Sequence, residues 1–339
     1  MNITIKDVAQ KANVSIATVS RVLNHSKPVS AVVREKVLHA VEELGFKPNS
    51  VARSLIMKES LLIGVLIPDI SNSFFSTFVK GVNNECFKSN YSTLLCDTQG
   101  DMDIELHYLQ LLKEKYVDGV IILTATPNKK QKYLEFFEGN SIPVVFASHY
   151  EKNTETFSCI DIDEFQAFYD ATEYLISLGH QKIAMFSGDL NYYDSGIIRY
   201  EAYKKALLDA GIEYNPKWFW EGDYNVQSGY ERGKKLFSLE DRPTALCCVS
   251  DMVAIGTIRA AEEMGFSIPE DLSIIGFDDI PIAQVYRPSI TTVRQPIFEM
   301  GVESVQMLFK QIKNKENPEH EIKILPHKII ERESCKKIR

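Results

Sequence analysis

Residues 3–23, ITIKDVAQKANVSIATVSRVL, determine how the start of the chain folds. Apolar residues recur at helical spacing over residues 5–12, and Thr4 stands where a hydroxyl can cap a helix. Asn13 then interrupts the pattern at a tight turn, and Ser15 can cap a second helix over residues 16–23. This pattern predicts either an ordinary αα-hairpin or a helix-turn-helix, whose second helix presents its N-terminal side chains to the major groove of DNA.

The residues that follow predict two more helices. Ser30 can cap a helix over residues 31–44, and Gly45 is placed to end it. Pro48 disfavours helix at the residue before it, after which Asn49 can cap a short helix over residues 50–55. Because an isolated helix of fewer than about ten residues does not persist in water, this one is expected to order only against a partner. A disordered linker is the alternative.

Two segments carry a family resemblance, VAQKANVSIATVSRVLN and VSAVVREKVLHAVEELGFKPNSVARSL. Together they resemble the head-piece of lactose-repressor-type (LacI/GalR) transcriptional regulators, and the downstream residue order is most similar to the purine-repressor and catabolite-control branches. The resemblance implies a helix-turn-helix DNA-binding domain over 1–47, a hinge helix and linker over 48–60, and an effector-binding and dimerisation domain over 61–339. The matching residues are Val14, Ser15, Thr18, Val19, Ser20, Arg21, Val22, Asn24, Val29, Ser30, Arg34, Val37, Leu44, Pro48, Asn49, Ala52, Arg53, Ser54 and Leu55.

The resemblance also implies how the head-piece reads DNA. Ile16 and Ala17 can make apolar contacts with thymine methyls, whereas Arg21 can bind guanine O6 and N7. Leu55 occupies the position of the family's wedge, which opens the central base step of a pseudo-palindromic operator bound by a dimer. The residues expected to contact DNA are Thr4, Ser15, Ile16, Ala17, Thr18, Ser20, Arg21, Asn24, Ser30, Asn49, Ala52, Arg53 and Leu55.

Composition is that of a soluble globular protein with a basic start. Of the 339 residues, 45% are hydrophobic and 25% charged, and the net charge is −8. Residues 1–60 contain nine Lys and Arg against five Asp and Glu, a balance of +4, so the remainder carries −12. A basic module on an acidic body is typical of a nucleic-acid reader. The six cysteines form no CxxC pair, and no segment is typical of a secretory signal or a membrane span. We therefore expect a cytoplasmic protein with reduced thiols and no metal or cofactor.

From residue 61 on, apolar strand-like runs alternate with amphipathic helices, which predicts α/β layers of doubly wound parallel sheets in two lobes. A first set of strands is predicted near 61–67, 91–96, 117–123 and 142–147, and a second set near 158–162, 182–187, 217–220, 244–249 and 272–277, with a last strand near 323–332. The resemblance implies periplasmic-binding-protein-like lobes that exchange strands three times. Lobe 1 would hold about 61–160 and 294–322, and lobe 2 about 161–293 and 323–339.

Open α/β sheets bind ligands beyond the carboxyl ends of their strands, and paired lobes form a cleft there. The resemblance places a ligand-gripping arginine at Arg199, a strand-end aspartate at Asp278 and a stacking aromatic at Tyr224. Purely structural roles are the alternative for several of these side chains: Asp251 could cap a helix, Phe74 or Phe75 could belong to the core, and Arg199 could pair with Asp278 across the lobes. The candidate effector-binding residues are Asn72, Phe74, Phe75, His149, Tyr192, Tyr193, Arg199, Tyr224, Asp251 and Asp278.

We expect a dimeric, operator-binding transcriptional regulator, most simply a repressor, controlled by a small ligand. A guanidinium and a carboxylate suit the hydroxyls of a sugar or sugar phosphate, and the Tyr192–Tyr193 pair stands where the purine-type branch has polar residues, which disfavours a purine. A sugar inducer is favoured. One alternative is a catabolite-control-type regulator, whose co-repressor is a phosphorylated carrier protein that docks outside the cleft. Remoter alternatives are a solute-binding receptor and a sugar-modifying enzyme, but no catalytic motif supports an enzyme.

Overall fold

The computed structural model describes residues 3–24, 28–46, 59–123, 130–138, 140, 142–147, 157–190, 194–314 and 319–338, with the side chains of residues 24, 130 and 194 excepted. The chain divides into two compact units, Met1–Ser60 and Leu61–Arg339. Each unit has a hydrophobic core of its own. No helix in the described ranges is long and apolar enough to cross a membrane.

The described part of the N-terminal unit forms the helices α1 (Ile5–Ala12), α2 (Ile16–Asn24) and α3 (Ala31–Leu44). Val8, Val19 and Val37, one from each helix, are fully buried and pack in one core. Asn13 turns the chain between α1 and α2 in the left-handed conformation, with φ of 51°. The helix-turn-helix geometry predicted from the sequence is therefore confirmed.

Caps explain where these helices begin and end. The hydroxyl of Ser15 accepts a hydrogen bond from the backbone N–H of Thr18 at 3.1 Å, as expected for the cap of α2. Gly45 ends α3 with φ of 59°, a conformation that glycine adopts without strain. Ser30 lies at the N-cap position of α3 as predicted, but its side chain makes no capping hydrogen bond.

The first lobe of the body is a parallel six-stranded sheet with the order β11-β5-β4-β3-β1-β2. Its strands are β1 (Leu62–Ile67), β2 (Ser92–Asp97), β3 (Gly119–Ile122), β4 (Val144–Phe146), β5 (Ser158–Ile162) and β11 (Ile322–Leu325). The helices packed in this lobe are α4 (Ser73–Lys88), α5 (Met102–Glu114), α6 (Lys130–Phe137) and α12 (Ile297–Lys313), the last of which precedes β11.

The second lobe contains another six-stranded sheet, with the order β12-β10-β9-β8-β6-β7. Its strands are β6 (Ile183–Phe186), β7 (Phe219–Trp220), β8 (Ala245–Cys248), β9 (Ser273–Asp278), β10 (Thr291–Arg294) and β12 (Lys328–Ile330). Its helices are α7 (Glu164–Ser177), α8 (Asp194–Asp209), α9 (Val226–Phe237), α10 (Asp251–Glu263) and α11 (Pro281–Val285). β12 is antiparallel to β10, and the other described pairs are parallel.

Three connections join the two sheets, after β5, after β10 and after β11. Two details differ from the sequence prediction. β5, placed there in the second set, pairs with β4 and β11, so the first sheet extends to Ile162 rather than to about residue 160. The single strand predicted near 323–332 is two short strands in different sheets, because the chain crosses between the lobes at residues 326–327.

Helix α12 returns the chain to the first lobe and packs closely against α4. Gly81 of α4 and Gly301 of α12 make this approach possible. A Cβ at Gly81 would lie 2.1 Å from the carbonyl oxygen of Phe298, and one at Gly301 would lie 2.3 Å from that of Phe78. Because both obstacles are backbone atoms, the two helices would have to separate to admit a side chain.

We therefore expect Gly81→Ala to destabilise the body by about 1–3 kcal/mol, the usual cost of overpacking a core. The neighbouring exposed residue provides a matched control, since Lys80→Ala should change stability by less than about 0.5 kcal/mol. Thermal unfolding followed by circular dichroism measures both variants. Equal stability of Gly81→Ala and Lys80→Ala would contradict the close packing of α4 and α12.

Candidate functional site

Helix α2 exposes one side of its first two turns. Val19 and Val22 are buried against the other two helices, whereas Ile16, Ala17 and Arg21 are exposed. The side of the helix not needed for packing therefore carries two apolar side chains and one guanidinium.

The other residues predicted to contact DNA lie around α1 to α3 or outside the described ranges. Thr4 is exposed, and both its backbone N–H and its hydroxyl donate to the Asp7 carboxylate at 2.7 Å. The Ser15 and Thr18 hydroxyls are 2.8 Å apart. Ser20 is half-buried and Ser30 exposed. The predictions for Asn49, Ala52, Arg53, Leu55 and the side chain of Asn24 fall outside the described residues.

A cavity of about 350 Å³ lies between the two lobes of the body. Residues that follow the carboxyl ends of strands in both sheets contribute to its walls, as the topology requires. The lining residues are Pro68, Asp69, Ser71, Asn72, Phe74, Phe75, Gln99, Gly100, Leu123, Glu164, Ser195, Arg199, Asp223, Tyr224, Asn225, Ser250, Met252, Asp278 and Gln295.

Arg199 of α8 lies in this wall and is paired with Glu164, the first residue of α7. Its Nε donates to one carboxylate oxygen at 2.6 Å and its Nη2 to the other at 3.0 Å, and both side chains are buried. Nη1 donates to the carbonyl of Val249, and the guanidinium lies 3.8 Å from the ring centre of Phe277. Burial opposes the charge, but Glu164, together with Tyr224 and Asp278, outweighs this effect, and the pKa of Arg199 lies above its usual value. The predicted alternative of an Arg199–Asp278 pair is replaced by this Arg199–Glu164 pair.

Asp278, the last residue of β9, is the second buried carboxyl in the wall. One of its oxygens accepts a hydrogen bond from the Gln295 amide at 2.8 Å. Burial raises the pKa of Asp278 to about 7, against the opposing effects of Arg199 and Gln295, which favour the charged form. Near pH 7 the Asp278 carboxyl is therefore present in both its protonated and its ionised form, so it can donate or accept a hydrogen bond.

Asp251, which was predicted from the sequence to bind the effector, instead stabilises the turn after β9 from the side away from the cavity. Asp251 is fully buried and does not line the cavity. Its carboxylate accepts from the backbone N–H of Ile280 at 2.9 Å and from the Thr292 hydroxyl at 2.6 Å. The prediction for Asp251 is therefore corrected, because the carboxylate is directed into the second sheet rather than into the cleft. The capping role considered as an alternative belongs to Ser250, whose hydroxyl accepts from the Val253 amide.

Tyr224 contributes an aromatic ring to the wall. Its hydroxyl lies 2.8 Å from that of Ser195, and burial raises its pKa to about 12, so the hydroxyl is protonated at neutral pH. The ring packs directly against Gly188, where an added Cβ would lie 2.5 Å from a ring carbon. A side chain in place of the glycine of the SGDL segment would therefore collide with the Tyr224 ring.

Three further predicted residues come from the start of α4. Asn72 caps this helix by accepting from the Phe74 amide at 3.0 Å, and it also lines the cavity. Phe74 and Phe75 stand edge to face with ring centres 5.2 Å apart. Phe74 packs against the cores of both lobes, so its predicted core role and its place in the cavity wall are both observed.

The structure thus brings together six of the predicted effector residues: Asn72, Phe74, Phe75, Arg199, Tyr224 and Asp278. The predictions for His149, Tyr192 and Tyr193 fall outside the described residues. Sequence reasoning missed Gln99, Glu164 and Gln295, although each follows a strand by one or two residues. The strand-end rule that selected Asp278 would have selected these as well.

Comparisons with known proteins find a matching family for each of the two units. Residues 4–49 match the family described as bacterial regulatory proteins, lacI family, and residues 172–335 match the periplasmic binding protein-like domain. The chain is 38% identical over 336 residues to catabolite control protein A of Priestia megaterium, covering 99% of this chain and 100% of that protein. It is 36% identical over 335 residues to the transcriptional repressor PurR of Aliivibrio salmonicida, covering 99% of both.

Solved structures show the same architecture. The lac repressor dimer bound to operator and the anti-inducer ONPF superimposes with a TM-score of 0.89 at 28% identity, covering 99% of this chain and 100% of that one. A LacI-family regulator from Enterococcus faecium with bound ribose superimposes with a TM-score of 0.73 at 34% identity, covering 82% of this chain and 100% of that one. Helix-turn-helix regulators with a two-lobed α/β body are thus the class of protein defined by the fold. This chain belongs to the lacI family of bacterial regulatory proteins, so it is a transcriptional regulator and not an enzyme.

Because the Asp278 carboxyl is buried, the free energy of unfolding should fall as the pH rises. Its pKa of about 7 in the folded protein exceeds the ordinary value near 3.9, so unfolding releases a proton throughout this window. Stability contributed by the protonated form is complete below about pH 4 and is lost at up to about 1.4 kcal/mol per pH unit until about pH 7. Asp278→Asn should therefore become progressively more stable than the wild type between about pH 4 and pH 7, and the difference should then level off.

Urea unfolding of both proteins across this pH range measures the difference. As a contrast, Gln295→Leu removes a hydrogen bond that favours the ionised form, so it should extend the window to higher pH. A stability difference between wild type and Asp278→Asn that does not vary with pH would contradict the raised pKa of Asp278.

Proposed function

We propose that this regulator is a repressor that binds a pseudo-palindromic operator as a homodimer, and that a small ligand in the cleft changes its affinity for that operator. The observation that carries the DNA-binding part is the exposed side of α2, where Ile16, Ala17 and Arg21 are left free of the core by Val19 and Val22. The operator-bound dimer of the similar lac repressor supports it. Each recognition helix reads one half-site, which requires a two-fold operator.

The ligand proposed for the cleft is a sugar or sugar phosphate. Arg199 and Asp278 offer a hydrogen-bond donor and an acceptor to vicinal hydroxyls, and Tyr224 offers an aromatic face to the apolar side of a sugar ring. Ribose occupies the similar regulator from Enterococcus faecium, which supports a sugar. In this proposal the ligand acts as an inducer.

For the ligand to act, it must bind the DNA-competent and the DNA-incompetent forms with different affinities. Coupling of this kind is typically about 1–3 kcal/mol, or roughly 5–150-fold in affinity, and it is reciprocal. We propose that the short helix predicted over 50–55, which lies outside the described residues, transmits this coupling and that Leu55 is the minor-groove wedge. A helix this short orders only against a partner, so its order can depend on the ligand.

A second candidate is regulation by a phosphorylated carrier protein docked outside the cleft. The 38% identity to catabolite control protein A favours it. Selection of bound operators from random DNA, followed by titration of the complex with free sugars, sugar phosphates and the phosphorylated carrier protein, separates the two candidates. Release by a sugar supports the first, and tightening by the carrier protein alone supports the second. Failure to enrich any operator contradicts both.

Arg21→Ala should weaken binding to the selected operator by about 1–3 kcal/mol and relax the preference at one base position. The reason is that a guanidinium at the exposed side of α2 can make two hydrogen bonds to a guanine edge. Mobility-shift titrations on the operator, on a variant of each half-site position and on random DNA measure this effect. An equal loss on all sequences would instead make Arg21 a phosphate contact.

Asp278→Asn should abolish or strongly weaken the ligand response while leaving ligand-free operator affinity within a few-fold, because an amide cannot accept hydroxyl hydrogen bonds on both of its polar atoms. Asp241→Asn is a suitable control, since Asp241 is exposed in the same lobe and does not line the cavity. Operator titrations with and without the sugar that releases the wild type provide the measurement. A full response at the same sugar concentration would remove Asp278 from the binding site.

A further inference from the structure

The Arg199–Glu164 pair changes what the cleft can bind. Glu164 spans the Nε–Nη2 side of the guanidinium, and Nη1 gives a further hydrogen bond to the carbonyl of Val249. Among described residues these three contacts leave one N–H on each terminal nitrogen for a ligand. The positive charge, however, is already balanced by a carboxylate that is itself in the cavity wall.

The other charged side chains among the described lining residues are acidic. Within the described lining, Arg199 is the one basic side chain, while Asp69, Glu164, Asp223 and Asp278 are acidic. Phosphate groups need cations or a set of backbone N–H donors, because all their oxygens accept hydrogen bonds. The part of the wall formed by described residues is rich in acceptors and poor in uncompensated positive charge.

Helix N-termini are the other usual phosphate sites, and those of α4, α9 and α10 are among the helix N-termini at the cavity. Each already donates an amide to the residue that caps it. Phe74 donates to Asn72 at 3.0 Å, Ser228 to Asn225 at 2.8 Å, and Val253 to Ser250 at 3.3 Å. A phosphate would therefore compete with these caps for the amides it requires.

A phosphate bound to the two remaining N–H groups of Arg199 would lie beside the Glu164 carboxylate and be repelled by it, and a phosphate bound in place of Glu164 would have to displace that carboxylate. Removing one partner of a buried ion pair leaves the other charge without compensation, which is strongly unfavourable. A neutral hydroxyl, in contrast, can accept from a terminal N–H of Arg199 and donate to Asp278 while the pair stays intact. Phosphorylated and free forms of one sugar should therefore differ greatly in affinity.

We propose that Glu164 is a specificity-determining residue, which holds Arg199 as a charge-balanced hydrogen-bond donor and thereby makes the cleft select uncharged, polyhydroxylated ligands over phosphorylated ones. The proposal rests on the effector role of the cleft described above and narrows its ligand class. In this proposal Glu164 determines which ligands bind, uncharged or phosphorylated, and not only how tightly they bind.

The test uses full-length wild type, Glu164→Gln, Glu164→Asp and the double variant Glu164→Gln/Arg199→Gln, each titrated calorimetrically with inorganic phosphate. Glu164→Gln keeps the shape of the side chain and removes its charge, so it should bind phosphate at least about tenfold more tightly than the wild type, the effect expected of one charge a few ångströms away. Glu164→Asp keeps the charge and should show no such gain. The double variant should lose the gain, because the phosphate then has no guanidinium to bind.

Phosphate affinity of Glu164→Gln equal to that of the wild type would overturn the proposal, and so would a gain that persists in the double variant. A second measurement needs no variant. Wild-type protein is titrated with ribose and ribose 5-phosphate, and with glucose and glucose 6-phosphate. Tighter binding of either phosphate ester than of its free sugar also overturns the proposal. The proposed function has a separate test, because it fails if no cleft ligand alters operator affinity. In that case the phosphate titrations still decide whether Glu164 controls phosphate binding.

Discussion

The cleft depends on the turn that follows β9, where two successive aspartates adopt positive φ angles of 110° and 57° at Asp278 and Asp279. Non-glycine residues adopt such conformations only when their surroundings enforce them. Here Arg332 and Arg294 both donate to the Asp279 carboxylate, at 2.6 and 2.5 Å, and Asp251 accepts from the next turn amide. These contacts direct Asp278 into the cavity, and Arg332, which follows β12, ties the turn to the last crossing between the lobes.

The same turn shows why stability and ligand recognition conflict in this protein. An asparagine at position 278 would avoid the cost of burying an ionisable carboxyl, as would apolar residues in place of Glu164 and Arg199. Retention of all three groups in one cavity wall indicates a requirement other than packing. Their separation in sequence, with Glu164 and Arg199 alone 35 positions apart, means that the site forms only when the second lobe is complete.

Local patterns in the sequence predicted local structure closely. Periodicity and turn residues gave the bounds of α1 and α3, because Asn13 and Gly45 interrupt the helical pattern where the left-handed turns lie. Strand-end positions predicted Tyr224 and Asp278 in the cleft, and the family resemblance predicted Arg199 there. Long-range facts were not accessible from such patterns. Position after a strand could not reveal that Asp251 is directed beneath the sheet, that Glu164 pairs with Arg199, or that the last predicted strand divides between two sheets.

Charge balance in the cleft also bears on how tightly a neutral ligand could be held. An isolated buried arginine would keep water around it, and a hydroxyl ligand would have to displace that water at a cost in free energy. Glu164, the Val249 carbonyl and the Phe277 ring replace most of that hydration and fix the guanidinium before a ligand arrives. Little conformational entropy of the arginine is then left to lose on binding, so two hydrogen bonds from a rigid donor can favour a ligand that carries no charge.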